Sequence, residues 1–172
     1  MNRAIVLAIL LMLGMVADAQ AFTCNEVANS TTTYRCSQIV FNDSGSTLTS
    51  GSLVVWDNDD TEFDRSGYPY VTTTTSADSP WTAGVLATPS CADQTLCEMV
   101  IYGPIQVRTA DSTDNAAEDT LVSTSTVAGQ AGDYGPAANT CALGMDMEDS
   151  LGGAGSSADN ELHWVFVDVD CQ

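Results

Sequence analysis

The side chains of this sequence that could do chemistry are mostly oxygen and sulfur donors. Along Asp57-Asn58-Asp59-Asp60-Thr61-Glu62-Phe63-Asp64, the oxygens of Asp57, Asp59 and Thr61 recur at every second residue, the spacing of the first half of a calcium loop. The second half departs from that pattern. Glu62 stands where a glycine makes the sharp turn, and Tyr68 stands where a bidentate Glu closes the site. These three residues are a candidate for low-affinity Ca2+ binding, set against a plain solvated acidic loop. Asp146-Met147-Glu148-Asp149 is a second cluster of the same kind. His163, the sole histidine, sits in an apolar run beside Trp164 and lacks the partners a general base needs, so it reads as structural. There is no G-x-S-x-G nucleophile elbow and no P-loop, and Gly152, Gly153 and Gly155 lack the strand-to-helix context of a dinucleotide site. Carboxylates are so numerous that pairs of them single out no glycosidase. No catalytic residue is assigned, and the chain reads as a non-enzyme.

The sulfur donors point to staples. Cys24, Cys36, Cys91, Cys97, Cys141 and Cys171 are even in number, with no C-x-x-C and a single histidine, so disulfides in an oxidising compartment are expected rather than zinc. Six cysteines allow 15 connectivities. Sequence alone does not fix which forms, but local pairing is compatible with it, because Cys24 and Cys36, Cys91 and Cys97, and Cys141 and Cys171 each bracket a hairpin-like segment.

All six lie after residue 21, and residues 1–21 have the form of an export signal: Arg3, an apolar run from Ala4 to Val16, and Ala19-Gln20-Ala21 before Phe22. Residues 22–172 are expected to form one β-rich domain with no membrane span, an uncleaved N-terminal anchor being the alternative. Neither a pilin-like start at Phe22 nor a lipobox before Cys24 fits the residues around it. The 172-residue chain carries four arginines, no lysine and 23 acidic residues, a net charge of −19. Such a balance excludes most nucleic-acid and anionic-membrane partners, since phosphate binding rests on Lys and Arg releasing counterions. It favours solubility in salt, with cations or a basic partner as the alternative.

The elements that must position these residues read as strands. Tyr34–Asn42, Ser52–Asp57, Pro69–Ser76, Trp81–Ala87, Glu98–Thr109, Asp119–Thr126, Thr140–Met145 and Glu161–Cys171 are rich in Val, Ile, Thr and aromatics and are separated by Gly, Ser, Asp and Pro turns. Glu98–Thr109 is expected as two short strands bent at Gly103-Pro104, with Met99, Ile101, Ile105 and Val107 on one apolar face. Glu161–Cys171 has apolar residues at both parities and is expected to be buried on both sides until Asp168 and Asp170 emerge into water. No amphipathic helix follows the export segment. The fold class is all-β, a single small β-sandwich or β-barrel stapled by disulfides. Asn29-Ser30-Thr31 and Asn42-Asp43-Ser44 are glycosylation sequons in a host that glycosylates exported chains.

Between residues 51 and 132 the order G-S-L-V-V-W-D, Y-V-T-T-T-T-S-A-D-S-P-W-T-A-G-V-L, Y-G-P-I-Q-V-R-T and E-D-T-L-V-S-T-S-T-V-A-G-Q-A resembles the small β-rich capsid-decoration and structural proteins of tailed phages. The resemblance implies a compact β-barrel and a repeating assembly subunit. The export signal and six cysteines depart from a decoration protein assembled in cytoplasm, which sets a secreted surface-layer or filament subunit beside a virion component. Two functions remain. One is a structural subunit that self-associates or joins a larger shell, with Trp56, Trp81 and Tyr102 in its core or interface. The other is a secreted carbohydrate-binding or adhesion module, with Ca2+ in the acidic loops and Tyr68, Tyr70 and Trp81 stacking on a glycan.

Overall fold

A computed structural model describes residues 22–27, 34–58, 67–110, 121–133, 141–147 and 161–171, and these are all strand and connection, without a helix. The strands are β1 (Thr23–Glu26), β2 (Tyr34–Asn42), β3 (Leu48–Thr49), β4 (Leu53–Trp56), β5 (Tyr70–Thr72), β6 (Thr82–Leu86), β7 (Ser90–Cys91), β8 (Leu96–Thr109), β9 (Leu121–Thr124), β10 (Ala131–Asp133), β11 (Cys141–Asp146) and β12 (Glu161–Cys171). β3 and β7 form a small sheet of their own, and the other strands belong to one ten-stranded sheet.

That sheet closes on itself. β2 pairs with β5, β5 with β4, β4 with β6, β6 with β8, and β8 again with β2, a five-stranded barrel in which only the β2–β5 contact is parallel. Val40, Val54, Val71, Ala83, Leu86 and Met99 fill it. A second ring runs from β8 through β12, β11, β9 and β10 back to β8, closing through the single parallel pair Ala131↔Thr109. Ile105, Val107, Val122, Leu143, Val165 and Val167 pack there with Leu53, Val85 and Val100, which point away from the first core. β4 and β6 thus carry apolar side chains on both faces because each face meets a different core, which is why their sequences read as unbroken hydrophobic runs.

The 14-residue β8 is common to both rings. It is one strand rather than two, and its apolar residues do not share a face. Its pairing with β2 jumps from Val100↔Ser37 to Tyr102↔Cys36, leaving Ile101 as an extra residue, and Gly103 follows with φ of 98°. Such a bulge inverts the alternation. Met99 faces the first core, with Ile101 packed against it, whereas Ile105 and Val107 join Val100 in the second.

Other boundaries follow the sequence more closely. β2 and β12 match the expected spans, and β11 and β12 pair antiparallel. Within β2, Ile39 and Phe41 share a parity, but it is Val40 and Asn42 that are buried. β5 is shorter than the Thr-rich run because Ser76 turns back, its carbonyl accepting from Thr124 Oγ1 (2.8 Å). Disulfides join Cys24 to Cys36 across β1–β2 and Cys91 to Cys97. Cys141 is also disulfide-bonded, and the β11–β12 register sets it opposite Cys171.

Candidate functional site

β12 alternates cleanly. His163, Val165 and Val167 turn into the second core, while Leu162, Trp164 and Phe166 turn outward. The expectation of burial on both sides fails here: Leu162 is 42% and Trp164 43% exposed, because no layer among the described residues covers the outside of this ring. The neighbouring strands extend the apolar surface. Phe166 stands between Met145 on β11 and Pro104 on β8, and its ring meets Tyr102 edge-on at 5.1 Å. Trp164 stands opposite Gln106, and on its other side the Met147 N–H donates to its carbonyl (2.8 Å). Directly opposed residues of an antiparallel pair point to the same side. Met145, Met147, Tyr102, Leu162, Trp164 and Phe166 therefore form one contiguous outer face of β8, β11 and β12.

At one border this face dips into a hollow of about 270 Å³, lined by Arg35, Ser50, Ala87, Glu98, Ile105, Gln106 and Trp164. Two glycines allow its walls to approach. At Gly103 a Cβ would come within 2.9 Å of the Arg35 Cα, so only glycine lets the start of β2, with its arginine, cross the bend of β8. Gly51 has φ of 85°, and a Cβ there would lie 2.7 Å from Leu162 Cδ2. Its carbonyl accepts from the Arg108 N–H (2.9 Å), tying the turn that carries Ser50 to β8. Arg108, opposite Leu162, donates from Nε to Thr49 Oγ1 (3.1 Å). Two of the four arginines thus stand at this face.

The aromatic residues singled out from sequence do not gather in one place. Trp56 is partly buried against the first core, and its N–H donates to the Trp81 carbonyl (2.8 Å). Tyr102 belongs to the outer face. Trp81 lies away from it, 56% exposed at the tip of the turn before β6. That turn is pinned: the Asp78 N–H donates to the Thr124 carbonyl (3.0 Å), the Ser79 N–H to Thr124 Oγ1 (2.7 Å), and the Trp81 N–H to Ser79 Oγ (3.2 Å). Tyr70 cannot stack on a glycan, because it is buried with its ring 4.8 Å from Phe41.

Asp57 donates from its N–H to the Tyr70 carbonyl (3.0 Å), while Asp59 and Thr61 lie outside the described residues, as do Glu148 and Asp149 of the second acidic cluster. Among the described residues no group of three His, Cys, Asp or Glu could hold a metal ion. His163 is buried opposite Val107. The Asn42 sequon is a structural device instead: Asn42 is fully buried, and its Nδ2 donates to the carbonyls of Ser46, Cys91 and Ala92 at 2.9, 3.0 and 3.1 Å. The outer face itself was not singled out from sequence. Its signal was present, since Asp168 shares the parity of Leu162, Trp164 and Phe166 and is exposed.

The molecule is thus an all-β, disulfide-stapled barrel protein, and among the described residues no helix is long and apolar enough to cross a membrane. No family model and no curated protein matches the chain. Solved structures do, among them the head fiber gp8.5 N base of bacteriophage phi29, at 13% identity and a TM-score of 0.46, covering 78% of this chain and 94% of that one.

Proposed function

We propose that this chain is a non-enzymatic structural subunit that assembles with further copies of itself through the outer face of β8, β11 and β12. The observation that carries this reading is the contiguous apolar face on a chain of net charge −19. Monomeric proteins seldom expose such surfaces without using them. Its centre has the composition of an interface core, where Trp, Tyr, Phe and Met are enriched, and its charged residues, Asp168 opposite Tyr102 and the two arginines, stand at its edges. A second copy is the favoured occupant because Arg35 and Arg108 stand at this face, while the rest of the chain is rich in the carboxylates they would meet.

Disulfides persist in oxidising compartments, which supports an extracellular or virion setting, and shells, filaments and surface layers are the assemblies such subunits build. The direct test is light scattering of the oxidised protein over a concentration series, beside the double variant Leu162→Gln, Trp164→Gln. Both positions are exposed, so the variant should keep its fold within about 0.5 kcal/mol per site. The wild type is expected to gain mass with concentration and the variant to remain a monomer. A wild type that is monomeric throughout, or a variant that assembles equally well, contradicts the proposal.

A further inference from the structure

Besides the outer face, the described residues present several large apolar side chains to solvent, and Trp81 is the one tryptophan among them. Trp81 stands beside the exposed Pro80 on a turn held by three hydrogen bonds, two of them made to Thr124. An indole fixed in this way loses little entropy on docking, which is the property of an interface anchor. The hollow beside Trp164 has complementary features. Ala87, Ile105 and Trp164 give it an apolar side, Arg35 can lie over a ring face, and the polar Ser50, Glu98 and Gln106 complete the lining and offer acceptors to an indole N–H.

The two features lie at opposite ends of one strand. Trp81 immediately precedes β6, and Ala87, in the wall of the hollow, immediately follows it. At roughly 3.3 Å per residue of extended chain, they are separated by about 20 Å. Trp81 therefore cannot enter the hollow of its own chain.

We infer that Trp81 of one copy docks into the Arg35–Trp164 hollow of the next, making a head-to-tail contact between copies. This inference rests on the assembly reading above and deepens it, because it fixes the symmetry. A contact between two different patches of the same chain closes into a ring or continues as a filament, whereas a contact of the outer face with itself stops at a dimer.

Mixing experiments test it. Trp81→Ala removes the knob and keeps the hollow, and Trp164→Ala spoils the hollow and keeps the knob. Both residues are exposed, and circular dichroism with thermal melting verifies that each variant is folded. Each variant alone is expected to associate about tenfold or more weakly than wild type. An equimolar mixture is expected to give a one-to-one heterodimer and nothing larger, since only one intact knob and hollow can meet. Arg35→Glu, which removes the cation and sets a second carboxylate beside Glu98 in the hollow, is expected to weaken association as Trp164→Ala does.

If Trp81→Ala assembles like wild type while Trp164→Ala does not, the head-to-tail contact is overturned and assembly through the outer face stands. If both variants lose association and the mixture stays monomeric, the complementary contact is likewise overturned. If wild type itself never associates, the assembly reading falls together with this one.

Discussion

Asn42 shows how a residue's local sequence can announce one role and its surroundings another. The triplet Asn42-Asp43-Ser44 is a glycosylation sequon, yet the amide gives both of its N–H bonds to the carbonyls of Ser46, Cys91 and Ala92, and its Oδ1 accepts from the Ser44 N–H (3.1 Å). It thereby fastens the end of β2 to the segment closed by the Cys91–Cys97 disulfide. Nothing in the triplet discloses those partners, since Cys91 is 49 residues distant. Replacing Asn42 by Asp would turn the donors into acceptors facing carbonyls in a buried site. The expected cost is about 3 kcal/mol, read as a lower urea midpoint under oxidising conditions. A shift under about 1 kcal/mol would contradict this role. The cysteines were easier to read, because their even count and short spacings follow from chain connectivity alone, and two of the local pairs compatible with those spacings are bonded.

At the scale of elements, strand identity was legible where β-branched and aromatic residues ran unbroken, as in β2 and β12, whose limits match the sequence reading. The two-residue strands β3 and β7 carried no such signal and are defined by pairing with each other. Faces were harder to read than spans. Alternation places residues on two sides of a strand without saying what covers each side. In β12 both parities are apolar, and the exposed one is betrayed only by Asp168. In β8 the bulge at Ile101 and the turn at Gly103 break the alternation, so residues of one parity enter two cores. Gly103 is the crux of that strand. Gly103→Ala would force a Cβ into the backbone of Tyr34 and Arg35 at a φ of 98°. It is expected to cost about 2 to 3 kcal/mol and to move Arg35 away from the hollow. Urea unfolding measures the first effect, and a matching loss of self-association in the folded fraction measures the second. A variant as stable as wild type would show that β2 does not depend on this close approach.

For the whole molecule, one long strand belongs to two rings, and the first ring supplies part of the second ring's core, with Leu53, Val85 and Val100 packed among residues of the second. Strand-like runs between turn residues foretold an all-β protein, but neither they nor the composition could foretell that a chain of net charge −19 keeps one face largely apolar, with two arginines beside it. These features oppose each other in assembly: burial of the face draws copies together, and like charge holds them apart. Salt screens both the attraction of the two arginines and the repulsion among the 23 acidic residues of each copy; the repulsion is the larger, its reach falls to about 10 Å at 0.1 M, and the apolar term stays in place. Attraction to a basic partner would instead weaken with salt. The central claim is therefore tested most directly by sedimentation equilibrium of the oxidised wild-type protein across a series of salt concentrations. Self-association through the outer face predicts a weight-average mass that rises with protein concentration and rises further with salt. A mass that stays at the monomer value throughout, or falls as salt is added, would contradict it.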